Sequence, residues 1–199
     1  MSKQKAAKQQ QLLSPEKYIC QKSRNLPIVS CMINEKWKEN GEADIAIVRQ
    51  HAGGNLTICL YLVDLQCLGL KDTSYFFNIS PFIWEEKFAK FNESMKHIDV
   101  PYDLVHNIIY AAIEYAESYG FTPHPDFDRI TSFFLEEDTD DIPLIHIECG
   151  GKDGNPLYVY TGYETPARAK QILNHLKATA GEGNYNYILD ESLADYKDE

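Results

Sequence analysis

Five side chains in this sequence have the type and placing that chemistry needs: Asp64, Lys71, His124, Asp126 and Asp128. Asp64 lies inside an apolar run from Asn55 to Thr73, which ends in Gly69-Leu70-Lys71-Asp72 before Thr73. A carboxylate in such surroundings must find hydrogen-bond donors or a cation, because burying it bare is costly. Two readings stand open. In one, Asp64 is a metal ligand or general base at the end of a central strand. In the other, it accepts N–H bonds from the turn around Leu68 and Gly69, as buried acids commonly do. Lys71 and Asp72 are expected just past the strand end, as a surface ion pair or as the polar lip of a pocket.

His124, Asp126 and Asp128 place one nitrogen donor and two carboxylates within five residues. Such a trio can hold a divalent ion. The same acids also suit the first turn of a helix, beside Pro125. A third group, His106, Tyr110 and Glu114, recurs every four residues and so lines one side of a helix. It reads as an ordinary polar face or, joined to His124 and Asp64, as part of one acidic, His-containing pocket.

Several familiar signatures are missing. The chain has no GxGxxG, HExxH or GxSxG, and Gly150-Gly151-Lys152-Asp153-Gly154 lacks the P-loop spacing. His146-x-Glu148 is not followed by PCxxC, which excludes the zinc deaminase pattern. In a strand those two side chains share one polar, solvent-facing side.

The elements that must position these residues follow from capping and periodicity. Ser14-Pro15-Glu16 starts a helix that ends near Lys22, before Leu26-Pro27. Ile28 to Asn34 reads as a strand and Lys36 to Gly41 as a polar loop. Asp44–Gln50 and Asn55–Leu65 read as a hairpin around His51-Ala52-Gly53-Gly54. Ile45, Ile47 and Arg49 share one face of the first strand. In the second strand Leu56, Ile58, Leu60, Leu62 and Asp64 share a face, and Cys59, Tyr61, Val63 and Leu65 share the other. Both faces are apolar, which marks a central strand covered on two sides. Thr73 to Asn78 reads as a third strand.

Ser80-Pro81 starts a second helix running to about Asn92, and Lys96 to Pro101 is a connector. Tyr102 to Tyr119 is the clearest helix, with Val105, Ile108, Ile109, Ala112 and Ala116 as its buried stripe. A short helix is expected within Pro123–Leu135, then a solvated acidic loop from Glu136 to Asp141. Leu144–Cys149 and Leu157–Tyr160 read as a second hairpin. A last helix starts at Thr165-Pro166 and buries Ala169, Ile172, Leu173 and Leu176, and Tyr185 to Leu189 is a final strand. Asp44-Ile45 with Gly53-Gly54 and Leu60-Tyr61 match Asp141-Ile142 with Gly150-Gly151 and Leu157-Tyr158 at one offset; a duplicated hairpin is one reading, and chance similarity from shared turn chemistry is the favoured one. The fold class is α+β, an antiparallel, hairpin-based sheet covered by helices.

The chain has 199 residues and is 44% apolar, enough for one domain with a full core. Residues 1–13 read as a mobile basic arm, 14–189 as a single α+β domain and 190–199 as an acidic tail. The net charge of −11 repels phosphate backbones, so direct nucleic-acid binding is not expected. Thirteen tyrosines suit half-exposed positions, interfaces and pocket rims. Five cysteines in no CxxC spacing read as reduced thiols of a cytoplasmic protein. The polar start, MSKQKAAKQQQ, reads as no secretory leader, and no apolar stretch nears the ~18 residues of a spanning helix.

The blocks Ser14-Pro15-Glu16-Lys17-Tyr18, Leu26-Pro27-Ile28, Tyr61-Leu62-Val63-Asp64 with Cys67-Leu68-Gly69-Leu70-Lys71-Asp72, and Tyr119-Gly120-Phe121 with Pro123-His124 resemble a family of bacterial hypothetical proteins. The resemblance covers most of the chain, through Tyr187. It implies a bacterial cytosolic protein and supplies no catalytic residues. The expectation from sequence is a domain that binds a protein or small-molecule partner through a Tyr-rich surface. The alternative is a metal-dependent hydrolase, phosphodiesterase-like. There Asp64, His124, Asp126 and Asp128 hold a divalent ion that acidifies a bound water, and Lys71 stabilises phosphate charge.

Overall fold

The computed structural model describes residues 13–139, 141–190 and 193. Nearly all of the expected basic arm (1–13) and most of the expected acidic tail (190–199) lie outside the described residues. The chain begins with helix α1 (Pro15–Lys22), capped by the Ser14 hydroxyl, which accepts from the Lys17 N–H at 3.4 Å. Strands β1 (Ile28–Asn34), β2 (Glu42–Gln50), β3 (Leu56–Asp64) and β4 (Gly69–Ile79) follow as an antiparallel meander. A short strand, β5 (His97–Asp99), adds to the free edge of β1, giving the order β4-β3-β2-β1-β5.

This is the expected α+β fold with an antiparallel sheet, and alternation explains its two cores. Ile45, Ile47, Cys59, Tyr61 and Val63 point to one face, where helix α4 (Tyr102–Ser118) lays down Val105, Ile108, Ile109 and Ala112. Ala46, Val48, Leu56 and Ile58 point to the other, where helix α3 (Pro81–Ser94) supplies Trp84 and Phe88. β3 is thus covered on both sides, as its two apolar faces require.

Two segments read as irregular are ordered by burial. Lys36–Gly41 holds a single-turn helix, α2 (Trp37–Asn40), because Trp37 must be buried. The connector Lys96–Pro101 holds β5, because β1 leaves an unpaired edge.

The ladder between β3 and β4 contains one irregularity that matters for the site. Leu62 pairs with Asp72 and Val63 pairs with Leu70, which leaves Lys71 as the extra residue of a β-bulge. Leu70 and Thr73 are both buried toward the α4 side, although an odd separation normally puts residues on opposite faces. The inserted lysine resolves that conflict. β4 is longer than the expected Thr73–Asn78 because its pairing with β3 continues back to Gly69 at the turn.

The expected second hairpin does not form. Leu144–Cys149 runs as an extended segment across α4 without a strand partner, anchored by the Asn107 carboxamide, which accepts from the Ile145 N–H at 3.0 Å and donates to the Pro143 carbonyl at 3.0 Å. β6 (Leu157–Val159) pairs in parallel with β7 (Asn186–Ile188), joined through helix α6 (Pro166–Thr179). Parallel pairing needs a crossover, and α6 is that crossover. Ala169, Ile172, Leu173 and Leu176 of α6 pack with Tyr158, and with Cys67, Leu68 and Phe121 from the main body. The C-terminal unit therefore completes its own core only by docking on the β3–β4 turn and the end of α4.

Candidate functional site

That docking seam encloses a cleft of about 680 Å3, within the size range of small-molecule sites. Three pieces of chain wall it. The start of β4 gives Leu70 and Lys71, the loop Gly120–Pro125 gives Phe121 and His124, and α6 with the residue before its cap gives Glu164, Arg168, Gln171, Ile172 and His175.

Each wall is placed by local structure. The His124 N–H donates to the Leu70 carbonyl at 3.0 Å, which pins the loop to β4 beside the bulge. His124 then caps helix α5 (Pro125–Arg129): its Nδ1 accepts from the Asp126 N–H at 3.3 Å. That bond needs the Nδ1 lone pair, so a neutral His124 carries its proton on Nε2, 3.8 Å from the Asp72 carboxylate. On α6, Arg168, Gln171, Ile172 and His175 follow the i, i+3, i+4, i+7 spacing that puts them on one side. The His175 Nε2–H donates to the Tyr119 carbonyl at 2.9 Å, which ties α6 to the end of α4. Leu68, Leu70, Phe121 and Ile172 add apolar surface to the lining.

Lys71 is the half-buried cation of the site. The bulge sends its ammonium back over the sheet to the Glu42 carboxylate on β2. Burial alone would depress the Lys71 pKa, but the hydrogen bond to Glu42 and the charges of Asp64, Glu42 and Glu164 outweigh it, so the value is raised. Asp64 closes the β3–β4 turn. Its carboxylate accepts from the N–H groups of Gln66 at 2.8 Å, Cys67 at 3.1 Å and Leu68 at 3.3 Å. Burial raises its pKa against the opposing pull of Lys71 and those three N–H groups. Of the two readings open for Asp64, the turn-closing one describes its bonds.

Two side-chain oxygens next to the cleft lack partners among the described residues. Glu164 Oε2 is buried with no hydrogen bond, and so is the hydroxyl of the fully buried Tyr158. Burial, then the nearby Glu164 charge, raises the Tyr158 pKa. Arg168 donates to Gln171 Oε1 at 3.4 Å and forms no ion pair among the described residues.

The candidate residues read from sequence separate into groups. Lys71 and His124 line the cleft together. Asp64 lies behind Lys71 and is not part of the lining. Asp126 pairs with Arg129 at 3.2 Å, and Asp126 and Asp128 occupy the first turn of α5, where acids favour a helix start. The four residues expected to hold a divalent ion are thus not gathered; among the described residues no three His, Cys, Asp or Glu side chains converge to do so.

The stripe on α4 does not join this cleft either. His106 is buried, its Nε2 3.2 Å from the Glu136 carbonyl. Tyr110 and Glu114 line a different cleft of about 510 Å3, against the extended 144–149 segment, together with Tyr115 and His146. The tyrosines are spread over the molecule. Tyr61 and Tyr158 are core residues, Tyr110 and Tyr115 flank the second cleft, and Tyr163 is 91% exposed.

Glu164, Arg168, Gln171 and His175 were not legible as site residues. Their helical spacing resembles any polar helix side, and the seam that gathers them depends on the parallel β6–β7 pairing. All five cysteines are free thiols, three of them buried. Among the described residues no helix is long and apolar enough to cross a membrane. No family model matches this chain, and no curated protein or solved structure matches it significantly.

Proposed function

We propose that this protein binds a small anionic molecule in the seam cleft, between the bulge of β4, the Gly120–Pro125 loop and α6. One observation carries the reading. In a chain of net charge −11, Arg168 stands at the cleft with no acid partner among the described residues, beside Gln171 and in a lining that also holds His124. An arginine without a carboxylate retains its planar fork of donors for a carboxylate or phosphate ligand. Lys71 adds positive potential from beneath, its charge shared with Glu42. Leu68, Leu70, Phe121 and Ile172 offer a carbon skeleton an apolar surface. The overall negative charge favours a small ligand over a polyanion such as nucleic acid. Five unpaired thiols support a reducing, cytosolic setting.

The test is a titration of isotope-labelled protein with inorganic phosphate, followed by amide NMR shifts. Binding moves the amides of 120–125 and 168–175 together, and Arg168→Ala abolishes the response. Shifts that are absent, or that persist unchanged in Arg168→Ala, overturn the reading.

A further inference from the structure

We infer that the ligand of this cleft is a zwitterion, an anion that also carries an amine, with the amine received by Glu164. The inference rests on the anion-binding reading above and adds the other half of the ligand. Two polar features of opposite demand line the same cavity. Arg168, Gln171 and His124 offer N–H donors, which suit an anionic oxygen. Glu164 offers the reverse: its Oε2 is out of solvent and accepts from nothing among the described residues. A buried carboxylate oxygen without a donor is costly, so a ligand that supplies an N–H there is favoured over one that does not.

Neighbouring donors do not fill the role. The Lys71 ammonium is engaged by Glu42, and the Tyr158 hydroxyl makes no hydrogen bond to Glu164 although it lies within reach of its charge. Arg168, four residues further along, is turned to Gln171. A plain anion would satisfy Arg168 and leave Glu164 as it is, with the added cost of a second negative charge close by. A molecule with both charges satisfies each wall and adds no net charge. The cavity of about 680 Å3 accommodates a short chain between the two ends, lying over Leu70, Phe121 and Ile172.

Isothermal titration with two probes of nearly equal size separates the claims. Phosphoethanolamine carries the amine, and ethyl phosphate lacks it. The expected result is about tenfold tighter binding of phosphoethanolamine, the effect of one charge-assisted hydrogen bond. In Glu164→Gln that preference disappears while ethyl phosphate binds at least as tightly as before, and circular dichroism confirms an intact fold. Equal affinity of the two probes for the wild-type protein overturns the zwitterion inference, with water then serving Glu164, and leaves the anion reading standing if Arg168→Ala weakens both. A preference that survives in Glu164→Gln also overturns it. Failure of both probes to bind removes both readings. If Glu164→Gln does not fold, Glu164→Ala takes its place in the same comparison, and equal affinity of the two probes for the wild-type protein still overturns the inference by itself.

Discussion

The Lys71 ammonium on β4 is hydrogen-bonded to the Glu42 carboxylate on β2, across the strand that ends in Asp64. One half-buried cation thus faces two acids, Asp64 on β3 and Glu42 on β2. Replacing Lys71 by Met keeps the packing and removes the charge. Stability at neutral pH should fall by roughly 1–3 kcal/mol. The deficit has a pH signature. Without the cation the folded-state pKa of Asp64 rises further, so the variant is relatively better off in acid and loses ground as pH climbs past 3.8, the ordinary Asp value. Urea unfolding of both proteins from acid to neutral pH checks this; a deficit independent of pH would contradict it.

A fully buried cation holds a different joint. Arg49, 2% exposed, donates to the carbonyls of Phe134 at 3.1 Å, Leu26 at 2.6 Å and Arg24 at 3.3 Å, and to Glu136 Oε1 at 2.6 Å. The expected solvated loop therefore begins with an acid committed to the core. Arg49→Met should cost about 3–5 kcal/mol, because three carbonyls and a carboxylate lose their donor together. Glu136→Gln keeps an acceptor in place and should cost less. Chemical denaturation of the two variants gives the order, and the reverse order would be inconsistent with this account.

Gly69 sits where α4 crosses the β3–β4 turn. Its φ is +68°, and an added Cβ would lie 2.7 Å from the Ala116 Cβ and 2.9 Å from the Ala112 carbonyl oxygen. Gly69→Ala combines left-handed strain with a clash against helix backbone, so a loss of at least roughly 1–3 kcal/mol is expected. Thermal unfolding reads this directly.

Alkaline pH should weaken the fold through its thiols. Burial pushes Cys31 up to about 12 and Cys149 to about 11, from an ordinary 9.0. A group whose pKa is raised by folding contributes fully below its unfolded value and loses that contribution as pH climbs through the folded value. Stability should therefore hold up to pH 9.0 on this account and decline above it. Cys149→Ala should flatten part of that decline, as followed by urea midpoints under reducing conditions.

Much of the fold was written in local pattern. Ser14, Ser80 and Thr165, each followed by Pro, mark three helix starts, and each hydroxyl accepts from the N–H three residues on. The alternation of β2 and β3 assigned Ile45 and Tyr61 to one core and Ala46 and Ile58 to the other. What pattern did not carry was partnership between distant segments. Leu144–Cys149 alternates like a strand, yet Asn107 takes its backbone and leaves β6 to pair with β7. Lys71 and His124 were legible as polar residues beside turns. Their meeting with Arg168 follows from a seam whose two sides are far apart in the chain. Asp64 was legible as a special acid because an apolar run must explain any charge inside it, and its explanation proved to be the turn it closes.

The bulge at Lys71 has a consequence for what the scaffold requires. With that residue excised, Leu70 would sit next to Asp72, and the pairs Val63–Leu70 and Leu62–Asp72 would become consecutive rungs of an ordinary ladder. Leu70 and the residue now numbered Thr73 would still look toward α4, as separation by two dictates. The extra position is therefore dispensable to the ladder's alternation, but through it one side chain both reaches across β3 to the Glu42 carboxylate and lines the cleft.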